Sequence, residues 1–367
     1  MSNSLVSTPP WTEADPEGDR ISDLVAALAE HDGKADAAGD WSEDLWSLLE
    51  HAGAARWSIP VEYGGASIAR PLLVQRYARL AEGSLTAVFI LSQHDAAVRR
   101  LTASDRPVAL KWLSAIASGE AFATVGISQL TTSRRLGSQA LVALERSGGG
   151  YRLQGAMPWV TAAPRADVFV TGALMEDGRQ LLIALPRERP GLTVRPSFEL
   201  AALQASCTAE VVVEGVEIGE DDLLAGPSSE LTSTPGAVGT AGLETSALAL
   251  GQARAAIAAL VSLANERIDL NDPVDVLCET WQQNWAALMS CARGESDAVS
   301  PNQVRAQANA LVLRSTQAYL TARKGSGFLR SEPAQRWAKQ ALFFLVWSCP
   351  SNIAQAAIRD FAGLCPS

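Results

Sequence analysis

Leu243-Glu-Thr-Ser-Ala-Leu-Ala-Leu-Gly-Gln-Ala-Arg-Ala-Ala-Ile-Ala-Ala-Leu-Val-Ser-Leu-Ala-Asn-Glu-Arg267 is the stretch on which the fold turns. It holds no proline and one glycine, Gly251, so it reads as a single helix of about 37 Å at ~1.5 Å per residue. Its apolar positions do not keep to one stripe: Leu248, Leu250, Ile257, Leu260, Val261 and Leu263 point several ways. Such a helix is buried against several neighbours. Glu244 is the anomaly, an acid in the first turn of an all-round apolar rod. Spacing puts Leu248, Gly251, Ala255 and Ala258 on its face, mostly small residues that let another helix or a flat ligand come close. The carboxylate either complements the helix dipole or faces a cavity, desolvated and available as a base. Pattern alone leaves both readings open.

Outward from this helix, the chain of 367 residues divides by texture into three parts. Residues 1–120 read as helical. Ile21, Leu24, Val25 and Leu28 fall on one helix face, Trp41-Ser-Glu-Asp-Leu-Trp46 opens another helix, and Ile59–Gly65 is a loop. Residues 70–101 make two further helices around Gly83-Ser-Leu-Thr. Residues 121–235 carry short β-type runs bounded by Gly and Pro: 121–127, 140–145, 168–171, 181–185 and 209–213. Runs of that length and spacing predict a small sandwich or barrel. Residues 236–367 return to helical periodicity, with Pro333 in the first turn of a late helix and Pro350 ending it. The fold class is therefore α+β: helical, then β, then helical.

Composition narrows the function. With a formal net charge of −10 and no basic run, the chain lacks the clustered Lys and Arg that phosphate backbones require, so nucleic acid is excluded as a partner. No run approaches the ~18–20 apolar residues of a membrane span, and the N-terminus has no signal-like apolar core. The chain is therefore expected to be cytoplasmic. Five scattered cysteines make neither a disulfide framework nor a zinc site, and three histidines make a metal centre improbable. No GxGxxG or Walker loop stands between a strand and a helix, so a Rossmann-type nucleotide site is not supported.

Several phrases, in order, resemble the acyl-CoA dehydrogenase family. These are Trp57-Ser-Ile-Pro-Val-Glu-Tyr-Gly-Gly65, Gly155-Ala-Met-Pro-Trp-Val-Thr161 followed by Ala166-Asp167-Val168, and the strand Val212–Glu220 leading to Leu224-Ala-Gly226. Gly251-Gln-Ala-Arg254 to Glu266-Arg267, then Gly325-Ser-Gly-Phe328 and Pro333, complete the series. The resemblance implies an N-terminal helical domain, a central β-domain and a C-terminal four-helix domain. It also implies FAD bound without a Rossmann motif, and a homodimer or homotetramer. Carried over by position, Val125, Ile127 and Ser128 face the flavin ring, Trp159 covers one of its faces and Thr161 hydrogen-bonds near its N5. An aromatic plane shields a flat ring, and a hydroxyl suits its polar edge. Arg267 matches the arginine that reaches the FAD pyrophosphate of a neighbouring subunit, and Gly325 and Asn352 match further flavin-contacting positions.

Two departures from the family pattern bear on the chemistry. Counting forward from Phe328, the usual catalytic glutamate falls on Ser348, and a serine hydroxyl without an activator cannot take an α-proton. Isovaleryl-CoA and long-chain acyl-CoA dehydrogenases instead keep their glutamate seven residues before the glycine of the GxAxxA phrase, which here is Glu244. The glycine-rich turn that faces the ligand's phosphates reads Gln129-Leu-Thr-Thr-Ser-Arg-Arg135, where Arg134 offers a partner for a phosphate of CoA or of a carrier's pantetheine arm.

The expected function is FAD-dependent α,β-dehydrogenation of an acyl thioester, as in fatty acid metabolism. Glu244 is the base, the backbone N–H of Ser348 is a donor to the thioester oxygen, and an electron-transfer flavoprotein or other acceptor takes the electrons. A base whose pKa is raised by burial would suit proton abstraction at neutral pH. The alternatives are a flavin-dependent monooxygenase of the same fold and a non-catalytic member of the family.

Overall fold

The computed structural model describes residues 7–131, 140–229, 231, 242–295, 299–347 and 349–364. Five helices precede the sheet: α1 (Gly18–Ala38), α2 (Glu43–His51), α3 (Arg70–Gly83), α4 (Leu85–Thr102) and α5 (Pro107–Ala117). Local chemistry sets their starts. The Ser42 hydroxyl accepts from Leu45 N to open α2, and the Ser84 hydroxyl accepts from Ala87 N, so that α4 begins directly where α3 stops. Pro107 occupies the first turn of α5, where a missing N–H costs nothing.

The strands are β1 (Ala123–Gly126), β2 (Val142–Glu145), β3 (Tyr151–Val160), β4 (Val168–Met175), β5 (Gln180–Pro186), β6 (Leu192–Val194), β7 (Ala209–Ile218) and β8 (Leu223–Ser228), with a single turn of helix, α6 (Ser128–Thr131), after β1. They form one mixed sheet in the order β6-β7-β3-β2-β4-β5-β8, and β1 lies parallel to β4. The sequence does not announce β3, because Gly155 and Pro158 read as punctuation. Pro158 is accommodated where the pairing of β3 with β7 shifts register between Met157 and Val160, so the missing N–H leaves no gap in a regular ladder.

Five helices follow: α7 (Leu243–Ala264), α8 (Asn271–Arg293), α9 (Pro301–Arg323), α10 (Pro333–Phe343) and α11 (Ser351–Phe361). Two boundaries differ from the sequence reading. Helix α7 stops at Ala264, which leaves Arg267 beyond its end, and α10 stops at Phe343, with Pro350 capping α11 rather than ending α10. Between α10 and α11, Asn309 Nδ2 donates to Phe344 O at 2.9 Å and Arg305 Nη2 to Trp347 O at 2.8 Å. Carbonyls that a helix would have used are thus held by side chains of α9. Burial pushes the Arg305 guanidinium down to about 10.

Contrary to the composition reading, α7 is long and apolar enough to cross a membrane by length and composition, but most of it is buried among other helices. Helix α3 approaches it closely at one point. A Cβ at Gly251 would lie 2.0 Å from Ala78 O, so the two backbones touch where no side chain intervenes. Of the two approaches left open by the small residues on the Glu244 face, the one at Gly251 is by another helix. The contact is pinned at its flanks. Arg254 pairs with Glu82 and lies 4.5 Å over the Trp11 ring, while Trp281 Nε1 donates to Leu250 O at 2.9 Å. Trp281 in turn stacks on Trp285 at 5.4 Å.

Gly251→Val would force α3 and α7 apart, and overpacking of this kind costs about 1–3 kcal/mol or more. The expected outcome is a Tm lowered by at least about 2 °C in thermal unfolding, at roughly 2–4 °C per kcal/mol; an unchanged Tm would show that the helices separate freely.

Candidate active site

The α3–α7 contact sets the surroundings of Glu244. From the first turn of α7 its side chain is 15% exposed, and Oε1 stands 3.8 Å from Nη1 of Arg99 on α4. Tyr77 precedes the contact residue Ala78 on α3, and its hydroxyl donates to Asp95 Oδ2 on α4. Four polar groups from three helices thereby meet inside an otherwise apolar packing. Burial lifts the Asp95 carboxyl to about 6, against the lowering effect of the Tyr77 hydrogen bond and the Arg99 charge. Burial, and then the Asp95 charge, raise the Tyr77 hydroxyl well above its usual value. For Arg99 burial works toward neutrality, but Glu244, Tyr77 and Asp95 outweigh it and hold the guanidinium above its ordinary pKa. Its neighbour Arg100 has Nη1 on Ala96 O at 2.6 Å, and burial, followed by repulsion from Arg99, presses it down to about 10. Asp95 and Tyr77 are fully enclosed, so in this cluster Glu244 and Arg99 are the groups with open surface.

Helix α4 carries the cluster to the sheet. His94, beside Asp95, sets Nδ1 3.0 Å from Ala123 O at the start of β1 and Nε2 3.2 Å from Ala55 O. Burial holds its pKa below the usual histidine value. At the other end of β1, a Cβ on Gly126 would lie 2.8 Å from Met157 Sδ and 3.1 Å from Val160 Cγ2, so β1 lies close against β3. Thr124 Oγ1 donates to Thr161 O at 2.8 Å. These contacts bring two groups of expected site residues together, Val125 with Ile127 and Ser128, and Trp159 with Thr161. Val125 is buried, whereas Ile127 and Ser128 are half-buried. Trp159 is 49% exposed, an open indole with the Phe198 ring tilted against it at 4.6 Å. The Thr161 hydroxyl lies 3.5 Å from that of Thr208. Gln129 locks the turn beyond β1 by donating to Gly126 O, Gly172 O and Thr171 Oγ1.

Other expected site residues lie elsewhere. Arg267 pairs with Asp269 at 2.7 Å and donates to Ala322 O at 2.9 Å, near the end of α9 that leads to the exposed Gly325. The whole of α7 separates it from Glu244, about 30 Å at ~1.5 Å per residue. Asn352 is exposed at the start of α11. Arg134 and Ser348 fall outside the described residues. Sequence reading did not single out Tyr77, Asp95, Arg99 or Gln129. The available signal was the spacing of Asp95 and Arg99, four residues apart on one helix face, where opposite charges pair.

No protein-family model matches the chain. Among curated proteins, it is 25% identical over 258 residues to the probable acyl-CoA dehydrogenase YngJ of Bacillus subtilis, covering 68% of this chain and 67% of that protein. It is 27% identical over 265 residues to the benzylmalonyl-CoA dehydrogenase of Aromatoleum aromaticum, covering 70% and 67%. These matches support the acyl-CoA dehydrogenase family, which the sequence phrases resemble. The family fold extends over nearly the whole length of this chain. A glutaryl-CoA dehydrogenase in complex with glutaryl-CoA superposes with a TM-score of 0.81 at 17% identity, covering 97% of this chain and 98% of that one. Solved structures of the same fold also include monooxygenases. The dibenzothiophene monooxygenase of Paenibacillus superposes with a TM-score of 0.77 at 17% identity, covering 94% and 96%.

Because the folded pKa of Asp95 lies above that of a free aspartate, folding favours its protonated form. Its charge therefore destabilises the fold increasingly as pH rises from about 4 to about 6, and no further above that. For Asp95→Asn, the Tm difference from the parent protein is expected to move in the variant's favour across this window and to level off above pH 7. A difference independent of pH would contradict the buried, raised carboxyl.

Proposed function

We propose that this protein is an FAD-dependent dehydrogenase that removes the α-proton and β-hydride of an acyl thioester, with Glu244 as the base. The observation that carries the proposal is the seating of Glu244: a carboxylate 15% exposed, in the first turn of the central helix and beside a guanidinium. A base so placed can reach a reacting carbon without being solvated by bulk water. Similarity to curated acyl-CoA dehydrogenases supports the reaction class.

Residues along β1 and β3 fit a flavin. The open Trp159 indole, with the Phe198 ring tilted against it, would offer a ring face, and Ile127, Ser128 and Thr161 would supply apolar and hydroxyl contacts to the ring's edge. When bound, FAD supplies the hydride acceptor. Glu244 breaks the Cα–H bond and keeps the proton on its carboxylate oxygen. The electron pair left at Cα becomes the Cα–Cβ double bond as the Cβ–H bond gives up its hydride. Arg99 holds a positive charge beside the carboxylate before the proton moves. Arg267, a helix length from Glu244, suits the FAD of a neighbouring copy rather than its own, and this supports a homodimer or homotetramer.

Glu244→Gln is expected to lower acyl-CoA-dependent reduction of an artificial acceptor by at least about 100-fold, in the range of general-base contributions, with the flavin content of the purified protein unchanged. Undiminished turnover rejects Glu244 as the base. Oxygen consumption that requires supplied reduced flavin, with no thioester oxidised, would instead assign monooxygenase chemistry. Trp159→Ala, assayed separately, is expected to lower the flavin retained through dialysis by about tenfold; retention equal to the parent would remove Trp159 from the flavin site.

A further inference from the structure

We infer that α3, α7 and α8 form a peptide-recognition groove, and that its ligand is this chain's own residues 9–15, docked as a detachable strap. Those residues form neither helix nor strand, and their burial alternates. Pro9, Trp11, Glu13 and Asp15 are buried or half-buried, while Pro10, Thr12, Ala14 and Pro16 are exposed. That is the period of an extended chain with one face bound. At ~3.3 Å per residue the segment spans about 20 Å, enough to cross all three helices. Among the described residues, the main chain of 9–14 hydrogen-bonds to no other main chain, only to helix side chains.

The groove reads the segment as a receptor reads a peptide. Gln75 on α3, 1% exposed, grips the main chain with both ends of its amide. Its Oε1 accepts from Glu13 N at 2.8 Å and its Nε2 donates to Glu13 O at 2.8 Å. Arg254 on α7 donates to Pro9 O through Nη2 at 3.0 Å and lies over the Trp11 ring. That ring is the anchor. It stands edge-on to both Trp281 and Trp285 of α8, at 5.4 and 4.9 Å, and aromatic anchors of this kind carry much of a binding energy. Charge completes the match. Arg76 on α3 takes the Asp15 carboxylate with two donors, at 3.0 and 2.6 Å, and Arg293 at the end of α8 pairs with Glu13. The groove therefore suits an extended acidic segment with one tryptophan, and the covalent tether supplies it at an effective concentration of about millimolar. Because Arg254 and Trp281 also pin the α3–α7 contact, filling of the groove is coupled to the seat of α7 and hence to Glu244. The catalytic meaning of that coupling rests on Glu244 being the base; the binding itself does not.

The test inserts a site-specific protease sequence after Pro16 and cuts the folded, flavin-loaded protein. The expected result is a cut segment that stays bound through gel filtration and is chased out by excess synthetic peptide of residues 7–16. A peptide carrying Trp11→Ala should chase at least about 30-fold more weakly, the scale of an aromatic anchor. One carrying Glu13→Gln and Asp15→Asn should chase about tenfold more weakly. In the emptied protein, amide hydrogen exchange across residues 248–255 should quicken at least about tenfold and return to the parent rate when the peptide is added back. The chase keeps the groove filled throughout, so it reads recognition even where the emptied protein unfolds. A segment that no peptide displaces, or one displaced equally well by the Trp11→Ala peptide, overturns the groove as a recognition site. Unchanged exchange in α7 after emptying overturns the coupling. Neither outcome bears on Glu244→Gln, whose turnover tests the dehydrogenase reading separately.

Discussion

Backbone contact between α3 and α7 at Gly251 and Ala78 is the constraint on which the interior depends. Two helices that meet without an intervening side chain have little freedom to slide, because nearly every displacement produces overlap or a void. Arg254 with Glu82 on one side and Trp281 on the Leu250 carbonyl on the other convert the contact into a fixed crossing. The polar cluster is a product of that crossing. Tyr77 sits one residue from the contact on α3, and Glu244 lies two turns before it on α7, so both are aimed at the stretch of α4 that bears Asp95 and Arg99.

Inside this frame the electrostatics are divided between two carboxyls. Asp95, fully enclosed and hydrogen-bonded to Tyr77, is the one that burial raises. Glu244 keeps some open surface and a guanidinium partner. The enclosed acid has no path to a ligand and acts on the charges around it, whereas the half-open one can meet a substrate. Strong desolvation falls on Asp95, behind the carboxylate that the sequence names as the base.

Much of the fold was legible because its signals are local. The two helices meeting at Gly83 and Ser84, the unbroken run into Ala264 and the apolar strands 168–171 and 181–185 follow from capping, propensity and periodicity. Strand β3 was not, since its ladder tolerates Pro158 only through a register shift set by β7, far along the chain. The break after α10 depends on Arg305 and Asn309 reaching from α9, which no local pattern announces. In the site, Glu244 could be found because an acid in an apolar helix breaks a pattern. Tyr77, Asp95 and Arg99 sit on helices whose periodicity they do not disturb, and their meeting is decided by how three helices cross.

The tight seat of α7 also gives its length a meaning beyond reach. The seat at Gly251 fixes the helix in rotation as well as translation, so the residues between Thr245 and Leu250 act as a phase spacer that keeps Glu244 turned toward Arg99. Removing one of them would swing the carboxylate by about 100° around the axis while shortening the helix by only ~1.5 Å. Variation among close relatives of this chain should therefore be freer in the identity of those six positions than in their number.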